Sequence, residues 1–203
     1  MGSCWFEASR SQLGMCRTRS SSPPIACLPA GHGSSGLSER LTERLHWRPQ
    51  REGDFAAVRA VFSHPEVVAH RPDPRPETEN ECRLRLAKDL DHWRRHGFGR
   101  WALERDGAVI GFGGLTYREG FTGLNLSYHL HPDYWGQGLA SEFAAAAVEI
   151  ALEDLLAPQV IGIARPVNLA SRRVLAKVGF TFVRHITYGG HPGLLHVKRA
   201  ERS

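Results

Sequence analysis

The sequence predicts an α/β (α+β) domain built on a mostly antiparallel sheet. Three observations point there. Two apolar runs, RWALER and AVIGFGGLTY, meet at Asp106-Gly107, the strongest short-range hairpin signal. Segments of helical period alternate with short runs of strand-forming residues. The chain then ends on two strands in succession, FTFVRHITY and LLHVKR. Together they predict a central sheet of six to seven strands flanked by about four helices.

The elements follow in order. ERLHWRP alternates and stops at Pro49, a first strand. Asp54 is placed to cap a helix through Val58, Val61 and Phe62 that ends before Pro65. The prolines at 72, 74 and 76 exclude helix there. Glu77 to His96 is an amphipathic helix carrying Leu84, Leu86, Leu90 and Trp93, closed by Gly97. After the hairpin, GLNLSYHLH puts Leu124, Leu126, Tyr128 and Leu130 on one face. Asn125, Ser127, His129 and His131 take the other. A helix runs from the glycine turn at 136–138 to about Leu156 and stops before Pro158. QVIGIA is a buried strand. NLASRRVLAKVGF is a helix capped by Asn168 and ended by Gly179.

The chain has 203 residues, room for one domain and a tail. Residues 1–41, rich in Ser, Pro and Gly, are expected to be disordered or loosely packed; residues 42–203 form the domain. No apolar run approaches the ~20 residues of a membrane helix, and the N-terminus lacks the order of a signal peptide. The net charge of +5 is scattered, with no block of like charge that would mark a nucleic-acid binder. Cys4, Cys16, Cys27 and Cys82 have neither metal-site nor CxxC spacing and suit a reducing cytoplasm. No His cluster has ligand spacing, so no metal is expected. A monomer or a homodimer is expected.

The segment HPDYWGQGLASE, His131–Glu142, asks for a physical account. A helix start leaves backbone N–H groups unpaired and carries partial positive charge. Glycines there let a bulky anion reach the backbone. A P-loop fails because Gly-Leu-Ala replaces Gly-Lys-Ser/Thr. A Rossmann fingerprint fails because Ser141 replaces the third glycine. A turn in which the glycines serve geometry alone remains open.

Two motifs in order, YWGQGLASE and NLASRRVLAKVGF, resemble those of the GCN5-related N-acetyltransferases (GNAT). The likeness is greatest to the RimJ/RimL-like branch of ribosomal-protein alanine acetyltransferases, with its WGxGxA form. It covers about residues 42 to 199. The resemblance implies acetyl-CoA as acyl-donor cosubstrate and the GNAT fold. It implies that Trp135, Gly136, Gln137, Gly138, Leu139, Ala140 and Ser141 surround the pyrophosphate. The pantetheine arm would pair with the backbone at Leu130 and His131, with Asn168 binding it too, and an amide near His131 would polarise the carbonyl.

By the same resemblance Ser171 supplies a proton to the leaving thiolate. Relatives often carry a strand carboxylate as base, and Asn125 stands there instead. The base is then His129, His131, or a water held by Asn125 and Ser127. Tyr188, beside Gly189-Gly190, lies where relatives line the amine site. Arg172 and Arg173 are either a phosphate contact or a solvated face. The acceptor is a primary amine, either a protein N-terminus or a small molecule such as a polyamine, amino acid or antibiotic. A non-catalytic acyl-CoA-binding module is the reading from another class.

Overall fold

The computed structural model describes residue 37 and residues 39–200. The expected N-terminal extension therefore lies almost wholly outside the described residues, as do Cys4, Cys16 and Cys27. Eight strands form one sheet: β1 (Arg40–Leu41), β2 (His46–Pro49), β3 (Arg100–Arg105), β4 (Ala108–Thr116), β5 (Leu124–Leu130), β6 (Gln159–Ala164), β7 (Thr181–Tyr188) and β8 (His191–Arg199). Their spatial order is β1-β2-β3-β4-β5-β6-β8-β7. Every pairing is antiparallel except β5 with β6. The helices are α1 (Phe55–Phe62), α2 (Pro65–Val68), α3 (Glu79–His96), α4 (Leu139–Glu149) and α5 (Leu169–Lys177).

The sequence expectation of six to seven strands and four helices falls one short of each. β1 has only two residues and carries no period to read. α2 begins at Pro65, where the sequence suggested only a stop. Proline is well placed at a first helical position, because its missing N–H is not needed there. The Asp106-Gly107 hairpin holds, both residues having positive φ (51° and 79°) as its turn requires. Asp54 precedes α1 as expected, yet makes no cap bond to it. Its carboxylate instead takes Arg48 Nη1 and Nη2 at 2.9 and 2.7 Å, and Arg48 Nε reaches Glu104 at 2.7 Å. Leu84, expected on the inner face of α3, is 60% exposed, while Leu86 is buried.

The sheet separates two packing layers. Val58, Val61 and Phe62 of α1 and Cys82 and Leu86 of α3 cover Phe112. On the other face Phe143 of α4 lies 4.7 Å from the Trp47 ring, which is edge-on to Trp101 at 5.7 Å. Two glycines let α4 and α5 sit this close. A Cβ at Gly113 would stand 2.4 Å from Phe143 Cε1, and one at Gly162 would stand 2.6 Å from Leu175 Cδ2. Interiors are close-packed, so neither contact tolerates a methyl group without displacement. The two helices therefore lie flat on β4 and β6.

Candidate active site

β5 and β6 pair only at Leu124↔Val160 and Asn125↔Ile161, although both strands run on. Beyond that point the sheet splays. In an antiparallel ladder alternate residues point their N–H and C=O groups to the same neighbour. His131 N donates to Ile110 O at 2.8 Å, on the β4 side. By that alternation the Leu126 carbonyl and the backbone groups of Tyr128 and Leu130 turn to the open edge. Trp135 Nε1 already donates to Leu130 O at 2.8 Å. This corrects the expectation for His131. Its amide is committed to β4, so neither carbonyl polarisation nor strand-like pairing is available there. Its ring packs on His64 at 5.1 Å, away from the cleft lining.

A cleft of about 1290 Å³ follows the splay. At one end lies the glycine turn. Gly136 and Gly138 have φ of 74° and 81°, a region L side chains rarely adopt, so glycine is required by the backbone itself. Gly138 precedes α4, and Ser141 and Glu142 both donate to its carbonyl. Ser141's amide is thus already used. The amides of Gly136, Gln137, Gly138, Leu139 and Ala140 donate to no acceptor among the described residues. Five free donors at a helix start are what an anion needs.

Distant residues hold this turn. Arg44 Nη1 donates to Gln137 O at 2.7 Å, and Arg44 Nε to Glu142 Oε2 at 2.7 Å. Thr42 Oγ1 donates to Glu142 Oε1 at 2.6 Å. Gln137's side chain is taken by Arg105 and by Asp133 O, so only its backbone is offered to a ligand. Nothing local in the sequence links Arg44 to a turn more than ninety residues away. Trp135, 45% exposed, Gly136, Gly138, Leu139, Ala140 and Ser141 all line the cleft.

Midway along it, Asn168 caps α5, its Oδ1 accepting from Ser171 N at 3.0 Å. Ser171 Oγ lies 3.1 Å from Tyr128 Oη, which is also 3.2 Å from Ser171 O. Burial pushes the Tyr128 phenol up to about 12, the bond to Ser171 offsetting only part of that. The sequence placed Tyr128 in an apolar row, and that row does face α5. What it could not show is that the hydroxyl end meets Ser171. Arg172 and Arg173 are exposed and do not line the cleft, Arg172 donating to Pro166 O at 3.3 Å.

The opposite face of β5 carries Asn125, Ser127 and His129, all lining the cleft. Asn125 is 3% exposed and its amide has no hydrogen-bond partner among the described residues. Ser127 Oγ accepts from Arg100 Nε at 3.0 Å. The His129 ring packs on Phe62 at 5.0 Å with Nδ1 buried and unbonded. Burial, and then Arg85, Arg100 and Arg71, hold its imidazole well below the usual histidine range. It is therefore neutral, and the same surroundings make it a poor proton acceptor. Beyond it, Glu77 joins Arg71 at 2.6 Å and also Arg85. Asp89 joins Arg100 at 2.9 Å. Tyr188 lines this end, its ring facing Arg118 at 4.9 Å and Arg165 at 5.5 Å.

Among the described residues no group of three His, Cys, Asp or Glu could hold a metal ion, and no helix is long and apolar enough to cross a membrane. Cys82 is buried against α1 and does not line the cleft.

Residues 44–181 match the model of the Acetyltransferase (GNAT) domain. The chain is similar to FsC-acetyl coenzyme A-N(2)-transacetylase of Aspergillus fumigatus, 32% identical over 135 residues. These are 59% of this chain and 54% of the fungal protein, so the chain spans about half that relative's length. Among solved structures, the acetyltransferase from Agrobacterium tumefaciens superposes with a TM-score of 0.71 at 25% identity, covering 80% of this chain and 95% of that one. RimL, the ribosomal L7/L12 alpha-N-protein acetyltransferase in complex with coenzyme A, gives 0.68 at 17%, covering 79% and 97%, a likeness of fold alone. With its splayed sheet and its glycine turn before α4, the chain belongs to the GNAT acetyltransferase family.

Proposed function

We propose that this chain transfers an acetyl group from acetyl-CoA to a primary amine by direct attack within a ternary complex. One observation carries the reading: a single cleft joins the unpaired amides of Gly136, Gly138, Leu139 and Ala140 to a serine–tyrosine hydroxyl pair and, past them, to a separate polar wall. Acetyl-CoA supplies the activated acyl group. The amides of residues 136–140, with Arg44 close behind, suit its pyrophosphate. The open edge of β5 at Leu126, Tyr128 and Leu130, with Asn168 beside it, suits the amides of its pantetheine arm.

Tyr128 stays protonated across the working pH range. Its O–H is within reach of both Ser171 O at 3.2 Å and Ser171 Oγ at 3.1 Å, so it can turn to Oγ as the serine O–H gives its proton to the departing sulfur. Ser171 is thus the acid and Tyr128 its donor. On the amine side His129 is a weak candidate for base, for the reason given above. Asn125 and Ser127 can hold a water that receives the ammonium proton. The arginines of this wall assist, because neighbouring positive charge lowers the pKa of an ammonium group. With Cys82 buried away from the cleft, a cysteine-bound acetyl group has no support among the described residues.

The RimJ/RimL-like branch, with a protein N-terminal amine as acceptor, is supported by Trp135-Gly136 and Gly138-x-Ala140. Initial rates measured while both substrates are varied test the order of events. Intersecting double-reciprocal lines are expected, and parallel lines would sink direct attack.

A further inference from the structure

Resting on the acetyl-transfer reading, we propose that Arg118 anchors a carboxylate on the acceptor, so that the substrates are amines carrying a nearby carboxylate rather than neutral amines or polyamines.

Arg118 lies just after β4 and lines the cleft beside Asn125 and Arg100. The other arginines of that lining are committed. Arg71 and Arg85 hold Glu77, Arg75 holds Asp73 and Glu81, and Arg100 holds Asp89. Arg165 Nη1 donates to the carbonyls of Tyr188, His191 and Pro192. Arg118 has no carboxylate within ion-pair reach among the described residues, and its Nε is buried without an acceptor. Its guanidinium lies over the Tyr188 ring at 4.9 Å.

A buried donor left unpaired is costly, and a charged one more so. Burial, and then the charge of Arg100, oppose the Arg118 cation further. A guanidinium cannot shed its proton in a protein, so relief needs an acceptor, and an anion satisfies the donor and the charge together. Its planar fork matches a carboxylate through two parallel bonds. The side chain is also pre-aimed. Tyr188 is held between Arg118 and Arg165, and Arg165 ties the turn between β7 and β8 in place. Polyamines bring a second ammonium into this field and are disfavoured by the same charges.

The test uses matched acceptors: glycine, β-alanine and 4-aminobutyrate, each against its own amide, with spermidine. Ala-Asp-amide against Ala-Asn-amide distinguishes a peptide side-chain carboxylate from that of a free amino acid. Thiol release from acetyl-CoA gives kcat/KM for each. At least one carboxylate should exceed its uncharged partner by roughly tenfold or more, the size expected of a charge-assisted bond. Arg118→Met should bring that ratio to within about twofold of unity, Arg118→Lys should keep an intermediate ratio, and acetyl-CoA KM should not follow either change. A wild-type enzyme that turns over amines with no carboxylate preference overturns the proposal, whatever the variants do. So does a preference that survives in Arg118→Met. Absence of turnover with every amine would instead sink the acetyl-transfer reading, and this proposal with it.

Discussion

The hydroxyl pair at the centre of the cleft gives the sharpest quantitative prediction. Tyr128 Oη and Ser171 Oγ are 3.1 Å apart, and the phenol is raised from 10 to about 12. At about 1.4 kcal/mol per unit, its protonated form is favoured by roughly 3 kcal/mol over that of a free tyrosine. Tyr128 therefore stays protonated and does not titrate in the working range. Ser171→Ala removes the proposed acid. Turnover should fall about 100-fold, the lower range for a general acid, while acetyl-CoA KM changes less than about threefold. Tyr128→Phe keeps the packing on α5 and removes one hydrogen bond, so turnover should fall about tenfold. The two losses must not multiply. If the tyrosine acts through the serine, the double variant is no slower than Ser171→Ala, a coupling of about 1.4 kcal/mol. Steady-state thiol release for the four proteins measures this. A combined loss near 1000-fold would show independent roles, and full turnover in Ser171→Ala would remove it from catalysis.

Three further outcomes are expected. Gly138→Glu should abolish acetyl-CoA binding by calorimetry, because it puts a carboxylate where the free amides converge. Gly138→Ala should instead cost about 1–2 kcal/mol of stability for a side chain at a φ of 81°; unchanged affinity in Gly138→Glu would refute the placement. Arg48→Met should destabilise the fold by about 3–5 kcal/mol in urea titration, since it strands Asp54, 4% exposed, without its bidentate partner. Stability should also fall with acid in two stages. Burial, and then neighbouring arginines, depress the folded-state pKa of His129 and His70, so the unfolded chain binds protons that the fold refuses once pH drops below about 6.5. Asp54, Glu77, Glu104 and Glu142 are pushed up by burial but held lower overall by their hydrogen-bonded partners, so their stabilisation disappears as pH falls below about 4. A flat profile between pH 8 and 5 would contradict the histidine part.

What the sequence revealed follows the range of the interactions involved. The hairpin at Asp106-Gly107 and the glycine turn were legible because both depend on backbone angles that few residues adopt. The alternation along β5 was also legible, and it sorted Tyr128 and His129 correctly to opposite faces. It could not say that Tyr128's hydroxyl meets Ser171, forty-three residues later. It could not say that His129 is surrounded by arginines from α3 and β3, which turn a plausible base into a poor one. Asp54 read as the cap of α1 because capping is local; it accepts from Arg51 N instead, and its bidentate partner, Arg48, comes from the strand before it. Arg118 carried no local signal at all. Its interest lies in having no carboxylate partner among the described residues, and that depends on where every other charge has gone.

Amine-dependent release of CoA thiol from acetyl-CoA, with mass spectrometry of the acceptor, tests the central claim most directly. Release is expected only when an amine is present, with the acceptor gaining one acetyl group. Tight acetyl-CoA binding with no thiol release across small-molecule amines and N-terminal peptides would contradict it and leave an acyl-CoA-binding module.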